Sequence, residues 1–127
     1  MYKKVLVVDD EMVMRSLVTI AIQRNGFVVA DADNSAQALS YLEKTTPDVI
    51  VLDIMMPGMN GIDLCRRIRK RPDTKNTPII VFSALGDDST IASAYAAGAN
   101  RYVHKLNRFG DLINQIQDTL ASANLTH

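Results

Sequence analysis

The chain has 127 residues, of which 47% are hydrophobic and 22% are charged, and this is enough apolar material for one domain with one core. Fourteen basic residues balance fourteen acidic residues, so a net charge of zero gives no electrostatic reason to expect direct binding to nucleic acid or to a membrane. A single cysteine, Cys65, excludes an internal disulfide and a cysteine-based zinc site, and no apolar run is long enough to cross a bilayer, so we expect a cytoplasmic protein.

Apolar runs alternate with amphipathic stretches along the chain, which predicts strands and helices in turn. Three of the apolar runs are continuous, as a parallel strand covered on both faces requires. In chain order the predicted elements are strand Val5–Val8, helix Met12–Asn25, strand Phe27–Ala30, helix Ser35–Lys44, strand Val49–Leu52, helix Gly61–Lys70, strand Ile79–Phe82, helix Asp88–Ala97, strand Arg101–His104 and helix Arg108–Ala123.

The spacing of apolar residues and the residues at helix ends give further detail. In the first helix, Leu17, Ile20 and Ala21 are expected to face the core, and Gly26 follows in a C-cap position. Ser35 is the expected N-cap of the second helix.

The repeated order of strand and helix predicts the fold class. Parallel strands need crossover connections, and right-handed crossovers place helices on both faces of the sheet. The prediction is an α/β, doubly wound, three-layer fold in which residues 1–127 form a single domain. Its core is expected to extend from about residue 3 to about residue 123, with residues 124–127 as a frayed tail.

Residues with groups that can bind a ligand lie at the carboxyl ends of four predicted strands. Ligand sites in open parallel sheets lie beyond those ends, so we expect these side chains on one rim of the sheet. They are Asp9, Asp10 and Glu11 after the first strand, Asp53 after the third, Ser83 and Ala84 at the end of the fourth, and Lys105 after the fifth.

The acidic residues on this rim predict a metal site. Clustered carboxylates raise one another's pKa values unless a cation compensates, and Mg²⁺ prefers oxygen ligands together with several waters. Asp10 and Asp53 are the predicted direct ligands, joined by the backbone carbonyl of Met55, while Asp9 is expected to act through a bound water; Mn²⁺ is expected to substitute. Any one of these aspartates taken alone is better interpreted as a helix cap, and only the group favours a metal.

Asp53 is the candidate nucleophile, because a carboxylate can attack phosphorus to form an acyl phosphate. In-line phosphoryl transfer mainly requires positioning and neutralisation of the phosphoryl oxygens. Lys105 is expected to bind one of these oxygens, and Ser83 with the backbone N–H of Ala84 another. Taken alone, Lys105 would be a surface lysine and Ser83 a strand end, so the prediction depends on their joint placement.

Four segments resemble the signature segments of bacterial response-regulator receiver domains, a superfamily that includes the chemotaxis receivers. The resemblance extends from residue 3 to about residue 123. It implies a flavodoxin-like (βα)5 three-layer sandwich with the parallel strand order 2-1-3-4-5. The segments are Val5–Glu11, Asp53–Gly61, Pro78–Ala84 and Ala97–Lys105.

The resemblance also implies a role for each matching residue. In this scheme the Ser83 hydroxyl moves to the phosphoryl group and the Tyr102 ring turns inward, which changes the face formed by the fourth helix, fifth strand and fifth helix. From the residues alone, Tyr102 is a half-buried strand aromatic. The implied residues are the phosphoacceptor Asp53, the acidic pair Asp9 and Asp10, the switch hydroxyl Ser83, the active-site lysine Lys105 and the switch aromatic Tyr102.

The function implied by the resemblance is that of a receiver in a two-component phosphorelay. Such a domain is not a turnover enzyme, since it catalyses only its own phosphotransfer and dephosphorylation. The expected phosphoryl donor is a sensor histidine kinase or a histidine phosphotransferase, and the expected output is a downstream protein partner or effector domain. A phosphorylation-dependent homodimer through the face of the fourth helix, fifth strand and fifth helix is a further expectation.

The residues after Lys105 depart from the family pattern. Leu106 follows the lysine where the family usually has proline, often in a cis peptide, and Asn107 occupies a position where an apolar aromatic is common. A cis bond before a non-proline residue costs about 2.5–4 kcal/mol, against about 0.5–1 kcal/mol for proline. Either the peptide is trans and the loop is reshaped, or the loop keeps a strained cis bond, and the energy difference favours the trans peptide.

Four alternatives to this interpretation make different demands on the sequence. A dehalogenase-like phosphatase needs a second acid two residues after the nucleophile, where this chain has Met55. A flavodoxin needs a Ser/Thr-rich phosphate loop after the first strand, where this chain has three acids, and a P-loop nucleotidase needs a Gly-rich loop that ends in Lys-Ser/Thr. A degenerate receiver that only binds partners stays open, because Leu106 departs from the pattern.

Overall fold

Five strands and five helices alternate along residues 2–125, the part of the protein that its computed structural model describes. No helix among these residues has the length and apolar character needed to cross a membrane. The elements are β1 (Lys4–Val8), α1 (Met12–Arg24), β2 (Val28–Ala32), α2 (Ser35–Lys44), β3 (Val49–Leu52), α3 (Gly61–Lys70), β4 (Ile79–Ser83), α4 (Asp88–Ala96), β5 (Arg101–His104) and α5 (Phe109–Leu125).

The strands form one parallel sheet in the order β2-β1-β3-β4-β5. The predicted flavodoxin-like, doubly wound sandwich is therefore confirmed. Helices α1 and α5 cover one face of the sheet, and α2, α3 and α4 cover the other. The strand order reverses between β1 and β3, and in folds of this kind ligands bind beyond the carboxyl ends of the strands at such a reversal.

The central strands are apolar on both faces, which explains their continuous hydrophobic runs. Every residue of β3 and β4 is buried. In β3, Ile50 and Leu52 pack under α2 and α3, while Val49 and Val51 pack under α1 and α5. Successive side chains of a strand point to opposite faces, so an apolar residue is needed at every position of a strand between two helical layers.

Helix α1 packs with a different face from the one predicted. Val18 and Ile22 are buried, whereas Leu17 and Ile20 are 47% and 46% exposed. Apolar residues occupy eight of the eleven positions from 12 to 22, so their spacing supports two overlapping stripes and does not select one of them.

The N-cap of α2 is Asn34 and not Ser35. The Asn34 side chain accepts the backbone N–H of Gln37 at 2.8 Å. Ser35 is the first residue of the helix, and its hydroxyl donates to the Met59 carbonyl at 2.8 Å, which ties α2 to the loop after β3. Asn and Ser have similar N-cap preferences, so the sequence could not distinguish these neighbours.

Other helix and strand ends lie close to their predicted positions. Gly26 follows α1 with φ 90°, as its predicted C-cap position requires. Strand β2 ends at Ala32, two residues later than expected, and α5 continues to Leu125, into the predicted frayed tail. Residues 126 and 127 of that tail lie outside the described residues.

Acidic side chains lie near the N-termini of several helices, and basic side chains lie near the C-termini. The strand ends and helix N-termini share one edge of the sheet, and the helix C-termini lie at the opposite edge. Acids near a helix N-terminus and bases near a helix C-terminus are both favoured by the helix dipole. The first-turn acids are Asp63, Asp88 and Asp111, and the last-turn bases are Arg24, Lys44, Arg67, Arg69 and Lys70.

Candidate functional site

An ammonium group joins two buried carboxylates beyond the ends of β1, β3 and β5. Lys105 Nζ lies 2.8 Å from Asp9 Oδ2 and 2.9 Å from Asp53 Oδ2. Asp9 and Asp53 are only 4% and 5% exposed. Burial alone would lower the pKa of Lys105, but the hydrogen bonds to Asp9 and Asp53 and their charges outweigh it and raise the pKa. Lys105 is therefore a cation that partly compensates the buried acids.

Asp10 completes an acidic cluster with Asp9 and Asp53. Each of the three offers one carboxylate oxygen, and these oxygens lie within 4.8 Å of one another. Asp10 is exposed, so the cluster is open to water on one side. One lysine cannot balance three carboxylates. Oxygen ligands, excess negative charge and access for water are the features that suit a hard divalent cation such as Mg²⁺.

The sheet brings Asp9 and Asp53 together. Val8 and Leu52 are partners in the β1–β3 register, and the Asp53 N–H donates to the Val8 carbonyl at 3.0 Å. Each carboxylate is then oriented by a backbone N–H two residues later. Asp9 Oδ1 accepts the Glu11 N–H at 2.9 Å, and Asp53 Oδ1 accepts the Met55 N–H at 3.3 Å. The side-chain oxygens are therefore held by the same turns that end the strands.

Two glycines shape the loop between Asp53 and α3, each for a different reason. Gly58 has φ 75°, in the left-handed region that glycine adopts without strain. Gly61 allows a close approach, since a Cβ there would lie 2.0 Å from the Asp53 carbonyl oxygen. The Gly61 N–H also donates to the Ile54 carbonyl at 2.9 Å. Helix α3 therefore begins directly against the backbone of Asp53.

An open cleft of about 630 Å³ leads to these carboxylates. Its apolar walls include Met55, which is half exposed, and Leu106, which is 89% exposed. The cleft is lined by Asp10, Glu11, Met14, Asp53, Met55, Ala84, His104, Lys105 and Leu106. The structure thus brings Asp10, Asp53, Met55, Ala84 and Lys105 together as predicted.

The loop after β4 is tied to both β4 and β5 through Leu85. Ser83 is fully buried, and its hydroxyl accepts the Leu85 N–H at 3.2 Å. The Tyr102 hydroxyl donates to the Leu85 carbonyl at 2.6 Å, and burial raises the pKa of Tyr102. The Tyr102 ring is half-buried against the core, as a strand aromatic is expected to be. The switch roles of Ser83 and Tyr102 stay predictions.

The sequence did not identify His104, Met14 or Arg15 as residues of this region. His104 and Met14 line the cleft, and Arg15 Nη1 donates to the Asp9 carbonyl at 2.8 Å. The available signal was the position of His104 at the end of a predicted strand. The expected trans peptide between Lys105 and Leu106 is confirmed, as residues 2–125 contain no cis peptide bond.

Comparison with known proteins places this chain in a family. The family model described as response regulator receiver domain matches residues 5–117. Over 123 residues the chain is 36% identical to the phosphate regulon transcriptional regulatory protein PhoB of Rhizobium meliloti, which covers 97% of this chain and 54% of PhoB. It is 33% identical to the transcriptional regulatory protein ResD of Bacillus subtilis, in a match that covers 97% of this chain and 50% of ResD. The chain spans about half the length of the curated relatives it matches.

Solved structures agree with these relatives. The receiver domain of the Francisella response regulator 1452 has a TM-score of 0.88 and 30% identity, and the match covers 95% of this chain and 98% of that chain. The chemotaxis protein CheY4 of Vibrio cholerae has a TM-score of 0.89 and 29% identity, and the match covers 93% of this chain and 98% of CheY4.

Fold and comparisons together define a receiver domain of the kind found in two-component signalling. The chain belongs to the response-regulator receiver domain family. It is homologous to the receiver domains of PhoB, of MtrA from Mycolicibacterium smegmatis and of CheY-type response regulators. This membership excludes the flavodoxin and dehalogenase-like phosphatase alternatives.

Proposed function

We propose that Asp53 accepts a phosphoryl group in the presence of Mg²⁺, which Asp10, Asp53 and the Met55 carbonyl bind directly and Asp9 binds through a water. Mn²⁺ is expected to substitute. The main support is a buried carboxylate that pairs with Lys105 and also lines an open cleft. The fit of the acidic cluster to a hard divalent cation supports the metal.

The transfer requires little beyond correct positioning. An oxygen of Asp53 attacks the phosphorus, the bond between phosphorus and the donor atom breaks, and the leaving group keeps the electron pair and takes a proton from solvent. Lys105 Nζ, which contacts Asp53 before the reaction, binds one phosphoryl oxygen, while the Ser83 hydroxyl and the Ala84 N–H bind another. Bound at the acidic cluster, Mg²⁺ would supply charge neutralisation for the transferring oxygens.

Hydrolysis of the acyl phosphate completes the proposed cycle. Water attacks the phosphorus of the acyl phosphate, the bond from phosphorus to Asp53 breaks, and the carboxylate is restored together with inorganic phosphate. The domain thus catalyses only its own phosphorylation and dephosphorylation. It is a signalling domain and not an enzyme that turns over an external substrate.

Phosphorylation is proposed to change the face formed by α4, β5 and α5. The Ser83 hydroxyl leaves the Leu85 N–H for a phosphoryl oxygen, and Tyr102, which bonds to the carbonyl of the same Leu85, responds to the loop movement. The shared contact with Leu85 supports this coupling. We propose a phosphorylation-dependent homodimer through this face, to which the half-exposed Tyr95 of α4 contributes.

The proposed phosphoryl donor is a sensor histidine kinase or a histidine phosphotransferase, and the output is a protein partner or effector domain. Relatives such as the DNA-binding response regulator MtrA of Mycolicibacterium smegmatis bind DNA as whole proteins, and this chain spans 51% of that relative. We propose that residues 1–127 are a single receiver domain without direct contact to nucleic acid or membrane. The cytoplasmic location stays a prediction.

Intact-mass measurement tests the proposal. The protein is incubated with Mg²⁺ and acetyl phosphate or phosphoramidate, beside a chelator control and the variants Asp53→Asn and Asp63→Asn. Asp63 is exposed in the first turn of α3, so it controls for the loss of a carboxylate nearby. We expect a gain of one phosphoryl group that requires both Mg²⁺ and Asp53 but not Asp63. No gain in a folded protein would favour a receiver that only binds partners.

A further inference from the structure

The turn that carries Lys105 is held by the preceding histidine. The His104 carbonyl accepts the Asn107 N–H at 2.9 Å, so residues 104–107 form a β-turn with Lys105 and Leu106 at its centre. Within this turn the Leu106 N–H donates to His104 Nδ1 at 3.0 Å. A side chain that accepts the N–H two residues later is a role that Asn and Asp usually have in turns. Two hydrogen bonds to His104 therefore fix the backbone on either side of Lys105.

The same imidazole packs against the loop after β4. A Cβ on Gly86 would lie 2.8 Å from His104 Cδ2 and 3.2 Å from Nε2. Among the described residues the glycines with positive φ are Gly26, Gly58 and Gly98, so Gly86 is needed here for space and not for its backbone conformation. The His104 ring thus packs between the two loops that border the cleft.

We infer that His104 is a positioning residue for Lys105, because its imidazole nitrogen fixes the Lys105–Leu106 turn and so keeps the ammonium group at Asp53. This inference rests on the proposed function, in which Lys105 binds the transferring phosphoryl group. The acceptor role of Nδ1 places the proton of the neutral ring on Nε2. A shift of the turn by a fraction of an ångström would move the lysine and slow the transfer, since phosphoryl transfer depends on alignment.

Two substitutions at position 104 separate the acceptor from the rest of the side chain. His104→Val removes the acceptor and keeps a residue that suits a strand, whereas His104→Asn keeps an oxygen that can accept the Leu106 N–H. At saturating Mg²⁺ and acetyl phosphate, we expect His104→Val to be phosphorylated about twofold to tenfold more slowly than the wild type. His104→Asn is expected to stay close to the wild-type rate.

A double-mutant cycle tests whether the effect passes through Lys105. Lys105→Gln removes the ammonium group that contacts Asp53, so nothing is left for the turn to position. We expect His104→Val to slow phosphorylation in the wild-type background and to have no further effect in the Lys105→Gln background. A histidine that is merely structural would slow both backgrounds by the same factor, and that result would overturn the inference.

Water exchange of the Leu106 amide, measured by NMR on the metal-free protein, gives a readout without phosphorylation. We expect about twofold to tenfold faster exchange in His104→Val than in the wild type or His104→Asn. If the wild type takes up no phosphoryl group, the proposed function fails, while the inference about the turn is still decided by exchange. Equal exchange in all three proteins, or equal phosphorylation rates in an active wild type and His104→Val, would overturn it.

Discussion

Lys105 is the residue on which the charge balance of the site depends. Its ammonium group contacts Asp9 and Asp53, the same carboxylates that would face a bound divalent cation. Opposite charges lower the energy of ionised carboxylates, and two cations that share the same carboxylates repel each other. The lysine that would assist phosphoryl transfer therefore also opposes the metal that the transfer requires.

Removal of the lysine charge should strengthen metal binding. We expect Lys105→Gln to bind Mg²⁺ about tenfold more tightly than the wild type, because a repulsive unit charge near the ion is lost. Its phosphorylation by acetyl phosphate should nevertheless be slower. Calorimetric titration with MgCl₂ measures the affinity, and Lys70→Gln, an exposed lysine at the end of α3, is the matched control. Unchanged or weaker affinity in Lys105→Gln would contradict this view of the site.

The residues of the site differ in how far the sequence could predict them. Asp10, Asp53 and Lys105 follow strands whose apolar runs were unmistakable, and parallel strands bring such residues to one edge. The part played by His104 could not be predicted in this way. Its contact with the Leu106 N–H depends on the rotamer of the imidazole ring and on the conformation of the turn. The sequence alone predicts neither of these two features.

At the scale of elements, the junction of β3 and α3 determines where the Asp53 side chain lies. The helix begins at Gly61, whose Cα approaches the Asp53 carbonyl so closely that no larger residue fits without movement. The N-cap Asn60 accepts the Asp63 N–H at 3.0 Å and fixes the first turn of α3. Strand, loop and helix therefore act as one support for the carboxylate.

Two glycine-to-alanine variants test this junction. Gly61→Ala should lower the free energy of unfolding by about 3 kcal/mol, because the added methyl group meets backbone atoms that cannot rotate away. Gly110→Ala, in α5, meets no atom within 4 Å and should be stabilising by up to about 1 kcal/mol. Urea unfolding followed by circular dichroism measures both. A Gly61→Ala protein as stable as the wild type would show that the approach is unimportant.

Apolar patterns in the sequence predict the order of strands and helices along the chain, but they do not predict how these elements pack. The alternation of strands and helices was predictable because a buried parallel strand needs a continuous apolar run. The strand order came from the resemblance to a family, because apolar runs do not say which strands are neighbours. The face of α1 was predicted wrongly, since its apolar residues form two stripes. Contact with β1, β2 and α5 selects the stripe around Val18.

At the scale of the whole molecule, the acidic cluster connects parts of the chain that are distant in sequence. Asp9 and Asp10 follow β1, and Asp53 follows β3, with α1, β2, α2 and β3 between them. A cation bound by these residues would link the neighbouring strands β1 and β3 in the folded state only. Ligands that bind the folded state alone stabilise it by mass action.

Metal addition and removal should therefore change the stability of the entire domain. At a Mg²⁺ concentration one hundred times the Kd, we expect the free energy of unfolding to rise by about 2.7 kcal/mol, and a chelator should reverse the gain. Mg²⁺ should stabilise the Asp53→Asn variant much less. It should stabilise Asp118→Asn by the full amount, because Asp118 is an exposed residue of α5 away from the acidic cluster. Urea titrations with and without Mg²⁺ measure this. Equal gains in both variants would place the metal elsewhere.

The charges at the helix ends give this electrically neutral molecule a dipole moment along the strands. First-turn acids and the acidic cluster lie at one edge of the sheet, and last-turn bases lie at the other, so the domain has a dipole moment although its net charge is zero. An approaching cation or basic protein surface would be attracted to the edge that contains Asp53, and the domain would rotate to present that edge. The rates of such encounters should fall with ionic strength, a dependence that the net charge alone would not suggest.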